Sequence, residues 1–317
     1  MGRSMVPTRQ QTVRRATPTR ELMRLAAIDI GSNSIHMIVA QVDSEGGFTT
    51  LWRMKEMVGL GRMSFPSHKL TREAISQAVL TLRRFQMAAA NRQVEKIIAV
   101  ATSAVREAEN GGELIERVRR RLGLDIRVVS AREEARLIYM AVRHAIDLGN
   151  QPHLIVDIGG GSVEIIVGDK SNPLLLESRK LGAARMTASY VKSDPINKED
   201  REALLKHYDK ELSSIVPKVA DLKPVKVLGT SGTLENIATM CGHEGSNGEC
   251  DLGQSVRSNK MAPGLISIPA PASAFSACSK SSGVMRALAS PLKVRSITIA
   301  SPIKVSMGIC SMEGRSR

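Results

Sequence analysis

The sequence lacks the features that mark exported, membrane-spanning or disulfide-stabilised proteins. Its four cysteines all lie after residue 240, at positions 241, 250, 278 and 310, and no two have C-x-x-C spacing. This pattern indicates neither a zinc site nor a disulfide framework. No apolar run approaches the ~18 residues that a membrane helix needs. We therefore expect a cytoplasmic chain with no membrane partner.

Aromatic side chains are scarce, and acidic side chains are outnumbered by basic ones. Aromatic residues make up 3% of the chain, and the formal net charge is +14. A strongly basic chain favours a polyanionic partner. Few aromatic side chains are available to stack on single-stranded bases, and no known nucleic-acid-binding motif occurs. We expect a phosphate-rich small molecule or inorganic polymer rather than nucleic acid.

The N-terminal segment also lacks an apolar stretch. Residues 1–24 contain six arginines and one acidic residue, Glu21, which gives a net charge of +5. The Arg14-Arg15 pair is not followed by the apolar region of an export signal. We predict a disordered basic arm over residues 1–23.

Two segments 128 residues apart share one pattern. Residues 28–39 are IDIGSNSIHMIV and residues 156–167 are VDIGGGSVEIIV. Each predicts a β-hairpin in which an aspartate precedes a glycine-containing turn. Strands and helices alternate elsewhere, which indicates an α/β fold. We predict a duplicated domain, over residues 24–148 and 149–240, with a cleft between the two copies.

Three glycine-containing loops are suited to binding phosphate. Backbone N–H groups of such turns converge on an anion, and glycine permits close approach and positive φ. For a single loop the alternative is an ordinary tight turn. The two matched hairpins and a third loop after a predicted strand favour phosphate binding together. The predicted phosphate-binding residues are Gly31, Ser32, Asn33, Gly159, Gly160, Gly161, Ser162, Gly232 and Thr233.

Three carboxylates accompany these loops. Asp29 and Asp157 enter the two turns, and carboxylates beside phosphate are typical ligands of Mg²⁺. Glu164 follows Ser162 by two positions on one strand, so both side chains point to the same face. We predict that Asp29, Asp157 and Glu164 bind the metal or its water ligands. The alternative for Glu164 is an exposed strand carboxylate.

A glutamate and an arginine are candidate catalytic residues. Ser130 and Glu133 have the spacing of a capping box, which gives Glu133 a structural role. Glu134 instead continues the apolar stripe of residues 137, 138, 141, 142 and 145. A carboxylate there is either paired with an arginine or oriented to deprotonate a water. Arg106 follows a strand end, where it either binds phosphate or pairs with a glutamate.

These segments together resemble the exopolyphosphatase/guanosine pentaphosphate phosphohydrolase (Ppx/GppA) family over residues 24–240. The resemblance implies a duplicated actin-like, ribonuclease H-like ATPase fold, and often a homodimer. It also implies hydrolysis of terminal phosphates of polyphosphate or pppGpp with Mg²⁺. In that family's pattern Glu134 is the general base and Arg106 binds phosphate. The match is carried by residues 27–37, 101–108, 133–139, 157–162, 182 and 229–233.

The resemblance ends where the composition changes. Residues 241–317 contain 15 serines and no acidic residue between Asp251 and Glu313. One hypothesis is a frameshift near residue 240, and the alternative is a divergent or disordered tail.

Two other functions stay open. One is a non-catalytic sensor of polyphosphate or pppGpp. The other is an actin-like ATPase or kinase, against which the absence of lysine from both hairpin turns argues.

Overall fold

The computed structural model describes residues 22–234, 236, 265–269 and 296–300. The predicted basic arm, apart from its last two residues, therefore lies outside the described residues, as does most of the 241–317 tail. Within these ranges no helix is long and apolar enough to cross a membrane. The described chain forms two β-sheets with helices packed against them.

The first sheet contains five strands in the order β3-β2-β1-β4-β5. The first three strands pair antiparallel, and the last two run parallel to β1. The strands are β1 (Leu22–Ile30), β2 (Ser34–Asp43), β3 (Phe48–Met57), β4 (Lys96–Ala101) and β5 (Ile126–Val128). Its helices are α1 (Leu60–Ser67), α2 (Arg72–Ala90), α3 (Ser103–Glu107) and α4 (Gly111–Leu122).

The second sheet repeats this topology and adds one edge strand. Its order is β10-β11-β9-β6-β7-β8, so β8-β7-β6-β9-β11 matches the first sheet strand for strand. The strands are β6 (His153–Ile158), β7 (Val163–Gly168), β8 (Pro173–Arg179), β9 (Lys226–Thr230), β10 (Leu265–Pro269) and β11 (Ser296–Ala300). The remaining helices are α5 (Ala131–Ala145), α6 (Ala183–Tyr190), α7 (Lys198–Leu212) and α8 (Val216–Asp221). The predicted duplicated actin-like α/β fold is confirmed.

The core of the first domain lies between its sheet and helix α2. Thr71 caps this helix, because its side chain accepts a hydrogen bond from the Ala74 N–H at 3.1 Å. The buried residues of α2 recur every three or four positions and pack on the sheet; they include Ala74, Ile75, Ala78, Leu82 and Phe85. Burial of one face fixes the helix across the strands and leaves the strand ends open to the cleft.

Helix α5 connects the two halves. Ser130 caps it by accepting a hydrogen bond from the Glu133 N–H at 3.1 Å, as predicted. The Glu133 carboxylate pairs with Arg127 rather than with its own cap. The body of α5 packs on the second sheet through Ile138, Tyr139 and Val142. A helix that the sequence prediction placed in the first domain thus covers the second sheet, and its first turn faces the cleft.

Four short helices, α1, α3, α6 and α8, were not predicted from the sequence. Helix α1 contains a proline and is flanked by left-handed residues, Gly59 and His68. Helix α3 has five residues, and α6 has eight; such lengths carry little periodic signal. Helix α7 ends at Leu212, and the six-residue helix α8 begins at Val216.

Candidate active site

A cavity of about 380 Å³ lies between the two sheets, beside the carboxyl ends of their central strands. All three predicted phosphate loops line it. All four predicted cleft carboxylates also line it: Asp29, Glu134, Asp157 and Glu164. Every predicted site residue except Arg106 therefore lines the cavity, and Arg106 contacts Glu134.

The two hairpin turns have the same geometry. In the first, the Gly31 N–H donates to the Ser34 carbonyl at 3.1 Å, and in the second the Gly159 N–H donates to the Ser162 carbonyl at 3.1 Å. Strand register is also equivalent, since Asp29 is opposite His36 and Asp157 is opposite Glu164. Sequence repetition has thus produced two copies of one turn with an aspartate at its entrance.

The glycines of the second turn are required by close approach. A Cβ atom on Gly161 would lie 2.1 Å from Ser103 Oγ and 2.6 Å from Ser32 Oγ. A Cβ on Gly160 would meet the Asn33 backbone N at 3.3 Å. Close approach rather than positive φ accounts for these glycines, because the positive-φ glycines of the described chain lie elsewhere. The two hairpin turns are therefore closely packed against each other across the cleft.

The third loop is hydrogen-bonded to the second. Thr230 Oγ1 donates to the Asp157 carboxylate, and Ser231 Oγ donates to the Ile158 carbonyl at 2.5 Å. Ser231 has a φ of 78°, a left-handed conformation that is uncommon outside glycine. Gly232 and Thr233 follow it along the cleft wall. The third loop therefore orients Asp157 as well as lining the site.

Glu134 and Arg106, the two predicted catalytic residues, contact each other. Arg106 Nη1 donates to Glu134 Oε2 at 2.8 Å and to the Val129 carbonyl at 2.9 Å. Their side chains are 18% and 16% exposed. The salt bridge that sequence analysis gave as an alternative is thus present, and Glu134 still lines the cleft. The phosphate-binding role of Arg106 stays a prediction.

Burial raises the pKa of all four cleft carboxyls. Burial and then the charges of Glu134 and Asp157 raise the pKa of Asp29 to about 7. Burial raises the pKa of Asp157 to about 6, although the Thr230 hydrogen bond opposes this. The pKa of Glu164 is also raised by burial and by its acidic neighbours. Burial raises the pKa of Glu134, whereas Arg106 lowers it.

These carboxyls are suited to a hydrated divalent cation. The buried Asp29 Oδ1 atom has no hydrogen-bond partner, and the acidic groups repel one another. Within the described ranges, no three acidic, histidine or cysteine side chains are grouped closely enough to hold a metal ion by themselves. Mg²⁺ typically takes one or two carboxylates, with waters and substrate phosphates as its other ligands. The residues present therefore fit Mg²⁺.

Sequence analysis missed several residues that shape the site. Ser103 Oγ and Ser32 Oγ are 2.7 Å apart, and both side chains are buried. Arg185 donates from Nε to the Gly161 carbonyl at 2.8 Å and from Nη2 to Glu107 Oε2 at 2.9 Å. Ser103 and Glu107 lie within the segment that carried the resemblance. Arg185 follows the matched Gly182, and no local pattern marks its role.

The chain is similar to curated enzymes over most of its length. It is 32% identical over 224 residues to exopolyphosphatase 1 of Mycobacterium tuberculosis. That match covers 69% of this chain and 64% of the relative, so the chain spans less than two thirds of that protein. It is 31% identical over 237 residues to guanosine-5'-triphosphate,3'-diphosphate pyrophosphatase of Aliivibrio fischeri, covering 75% of this chain and 47% of the relative.

Solved structures share the fold. An exopolyphosphatase from Cytophaga hutchinsonii aligns with a TM-score of 0.78 at 24% identity, covering 92% of this chain and 98% of that one. The model of the Ppx/GppA phosphatase family matches residues 38–262. This match contains Glu134, Arg106 and two of the three loops in full. The chain belongs to the Ppx/GppA phosphatase family.

Proposed function

We propose that this protein hydrolyses the terminal phosphoanhydride bond of inorganic polyphosphate or of pppGpp. One observation carries the proposal: Glu134 lines the same cleft as two matched glycine turns and three further carboxyls. Phosphoryl transfer requires positioning and charge stabilisation more than covalent chemistry. The cleft offers backbone N–H groups for the phosphoryl oxygens and a carboxylate for the attacking water. The names of the relatives support the same substrates.

Glu134 is proposed as the general base. Burial raises its pKa, and Arg106 limits that rise. A base works best when its pKa lies near the operating pH. Arg106 Nη1 donates a hydrogen bond to Glu134 Oε2 at 2.8 Å. The other carboxylate oxygen, Oε1, is then left to accept a proton from water. Arg106 also fixes the direction of the carboxylate, because the Val129 carbonyl holds the same guanidinium nitrogen.

Asp29, Asp157 and Glu164 are proposed to hold Mg²⁺ directly or through water. When bound, the ion would offset the charge of the phosphate oxygens. Asp157 is oriented by Thr230, and Glu164 accepts a hydrogen bond from Ser178 Oγ at 2.8 Å. Asp29 has an unpaired buried oxygen. Without a cation these carboxyls would repel a polyanionic substrate, so we expect phosphate release to require Mg²⁺.

The test is phosphate release from long-chain polyphosphate and from pppGpp, with Mg²⁺ and with excess chelator. Glu134→Gln should lower kcat by roughly 10²–10⁴-fold, the usual contribution of a general base. Glu133→Gln is the matched control, since this neighbouring carboxylate is bonded to Arg127. It should retain wild-type release.

Two results would contradict the proposal. Full activity of Glu134→Gln would remove Glu134 as the base. Tight binding of polyphosphate or pppGpp without any release by folded wild-type protein would favour the non-catalytic sensor.

A further inference from the structure

The cleft is also lined by a positively charged side chain, Lys55, which has no role in the hydrolysis proposed above. Among the described residues that line it, Lys55 is the one lysine or arginine, against four carboxyls. Lys55 lies near the end of β3 and is exposed. Within the described part of the chain it has no hydrogen bond or ion pair. An unpaired ammonium group in a cleft proposed to bind a polyanion is available to bind an anionic group of that ligand.

Lys55 reaches from the first domain to the third loop of the second. A Cβ atom on Gly232 would lie 3.6 Å from Lys55 Nζ. The ammonium group therefore lies near the loop that follows β9, and both line the cleft. A phosphate in that gap would contact Lys55 from the first domain and the Gly232 loop from the second.

Lys55 is separated from Asp29 by one strand, because His36 on β2 lies opposite Asp29 on β1 and opposite Lys55 on β3. Burial and then the charges of neighbouring carboxyls raise the pKa values of Asp29, Asp157 and Glu164, whereas the Lys55 charge acts on His36. Burial first, and then Lys55, lowers the pKa of His36 to about 4. His36 is therefore neutral at neutral pH and shares a 2.7 Å hydrogen bond with Ser34 Oγ. Among the described lysines and arginines, Lys55 is the one that lines the cleft and can contact a phosphate there.

We propose that Lys55 binds the phosphates behind the terminal phosphoryl group, the part of a phosphoanhydride chain that departs on hydrolysis. This proposal rests on the proposed function, because it places the terminal group at the carboxyl end. The chain then extends past β3 towards Gly232. Lys55 is a binding residue that selects polyanionic phosphoanhydrides over phosphomonoesters, which have no phosphate beyond the one transferred.

The test combines binding and turnover of inorganic tripolyphosphate. Lys55→Gln should bind tripolyphosphate about tenfold more weakly by calorimetry and raise KM by a similar factor, the usual cost of one charge-assisted hydrogen bond. Added salt should narrow the difference from wild type, because it screens an exposed charge. Lys55→Arg should recover most of the affinity.

Arg53→Gln is the matched control. Arg53 lies two positions earlier on the same exposed face of β3 and outside the cleft lining. Its loss removes the same charge and should leave tripolyphosphate affinity unchanged.

Tripolyphosphate affinity and phosphate release test the role of Lys55 and the proposed hydrolase function separately. Wild-type affinity in Lys55→Gln, or equal losses in Lys55→Gln and Arg53→Gln, would overturn the role of Lys55 even if phosphate release is intact. Selective loss of binding in Lys55→Gln, in a protein that releases no phosphate, would support Lys55 and reject the hydrolase.

Discussion

Replacing Asp29 by asparagine should stabilise the metal-free protein above neutral pH. Asp29 is buried, its Oδ1 atom lacks a hydrogen-bond partner, and its pKa is raised from 3.8 to about 7. Because the folded state holds the Asp29 proton more tightly, the contribution of Asp29 to stability is fully present below pH 3.8 and is lost as pH rises through about 7. Asp29→Asn removes this loss.

The magnitude follows from the two pKa values. A rise of about three pKa units corresponds to about 4 kcal/mol of stability lost at high pH. The amide introduced by the substitution would itself lack partners, at a cost of about 1–3 kcal/mol. The net gain at pH 8 is therefore about 1–3 kcal/mol. Between pH 5 and pH 8 the advantage of the variant should grow by about 2–3 kcal/mol, whatever the amide costs.

The assay is urea unfolding in chelator at pH 5 and pH 8. Asp125→Asn, at an exposed carboxylate just before β5, should change stability by less than about 0.5 kcal/mol at both pH values. Mg²⁺ should then stabilise the wild type more than Asp29→Asn, because a ligand stabilises the state that binds it. An advantage of Asp29→Asn that is absent, or equal at both pH values, would refute the reasoning.

Three further predictions concern the cleft. The Mg²⁺ concentration that gives half-maximal phosphate release should fall as pH rises through 6 and 7. The reason is that the Asp29 and Asp157 carboxyls, with pKa values of about 7 and 6, must lose their protons to bind a cation. If this Mg²⁺ concentration does not change with pH, these two residues are not ligands. Gly161→Ala should destabilise by about 1–3 kcal/mol in thermal unfolding, because the added methyl would lie 2.1 Å from a hydroxyl oxygen. Glu107→Gln and Arg185→Gln should show a coupling of about 1–3 kcal/mol in a double-mutant cycle, since their 2.9 Å ion pair is largely buried.

Two controls belong to the last pair of predictions. Gly112→Ala adds a methyl group inside α4 with nothing within 4 Å, so it should be stabilising by about 0.5–1 kcal/mol. The Lys69–Glu109 pair is 63% and 65% exposed, and its coupling should be below about 1 kcal/mol. Similar coupling energies for the two pairs would show that burial of the Glu107–Arg185 pair between the domains adds no coupling beyond that of an exposed pair.

The duplicated hairpins could be predicted because their signal is local. Asp29 and Asp157 each precede a glycine turn, and the apolar residues around them fix the strands. Register then follows from the short turn, and it places Glu164 opposite Asp157. The same reasoning selected Glu134 over Glu133, because helical periodicity separates the two neighbours. The structure places both Glu134 and Glu164 in the cleft.

The residues that join the domains could not be predicted. Arg185 contacts Glu107, 78 positions away, and stacks over Phe65 with its guanidinium carbon 3.8 Å from the ring centre. In the sequence, Lys55 is one of several exposed positions that alternate along the edge strand β3. Its place in the cleft depends on the nearby Gly232 loop of the second domain. Such contacts depend on how two folded domains meet, which periodicity and turn chemistry within each domain do not determine.

The pairing of β11 with β9 has a consequence for how the chain folds during synthesis. Every strand of the first sheet has been synthesised once the chain reaches residue 128. The second sheet must wait until residues 296–300 appear before β9 gains its outer neighbour. Until then the edge of β9 is open to pairing with another chain. The first domain is therefore complete early, and the nascent protein is exposed to aggregation mainly through its second half.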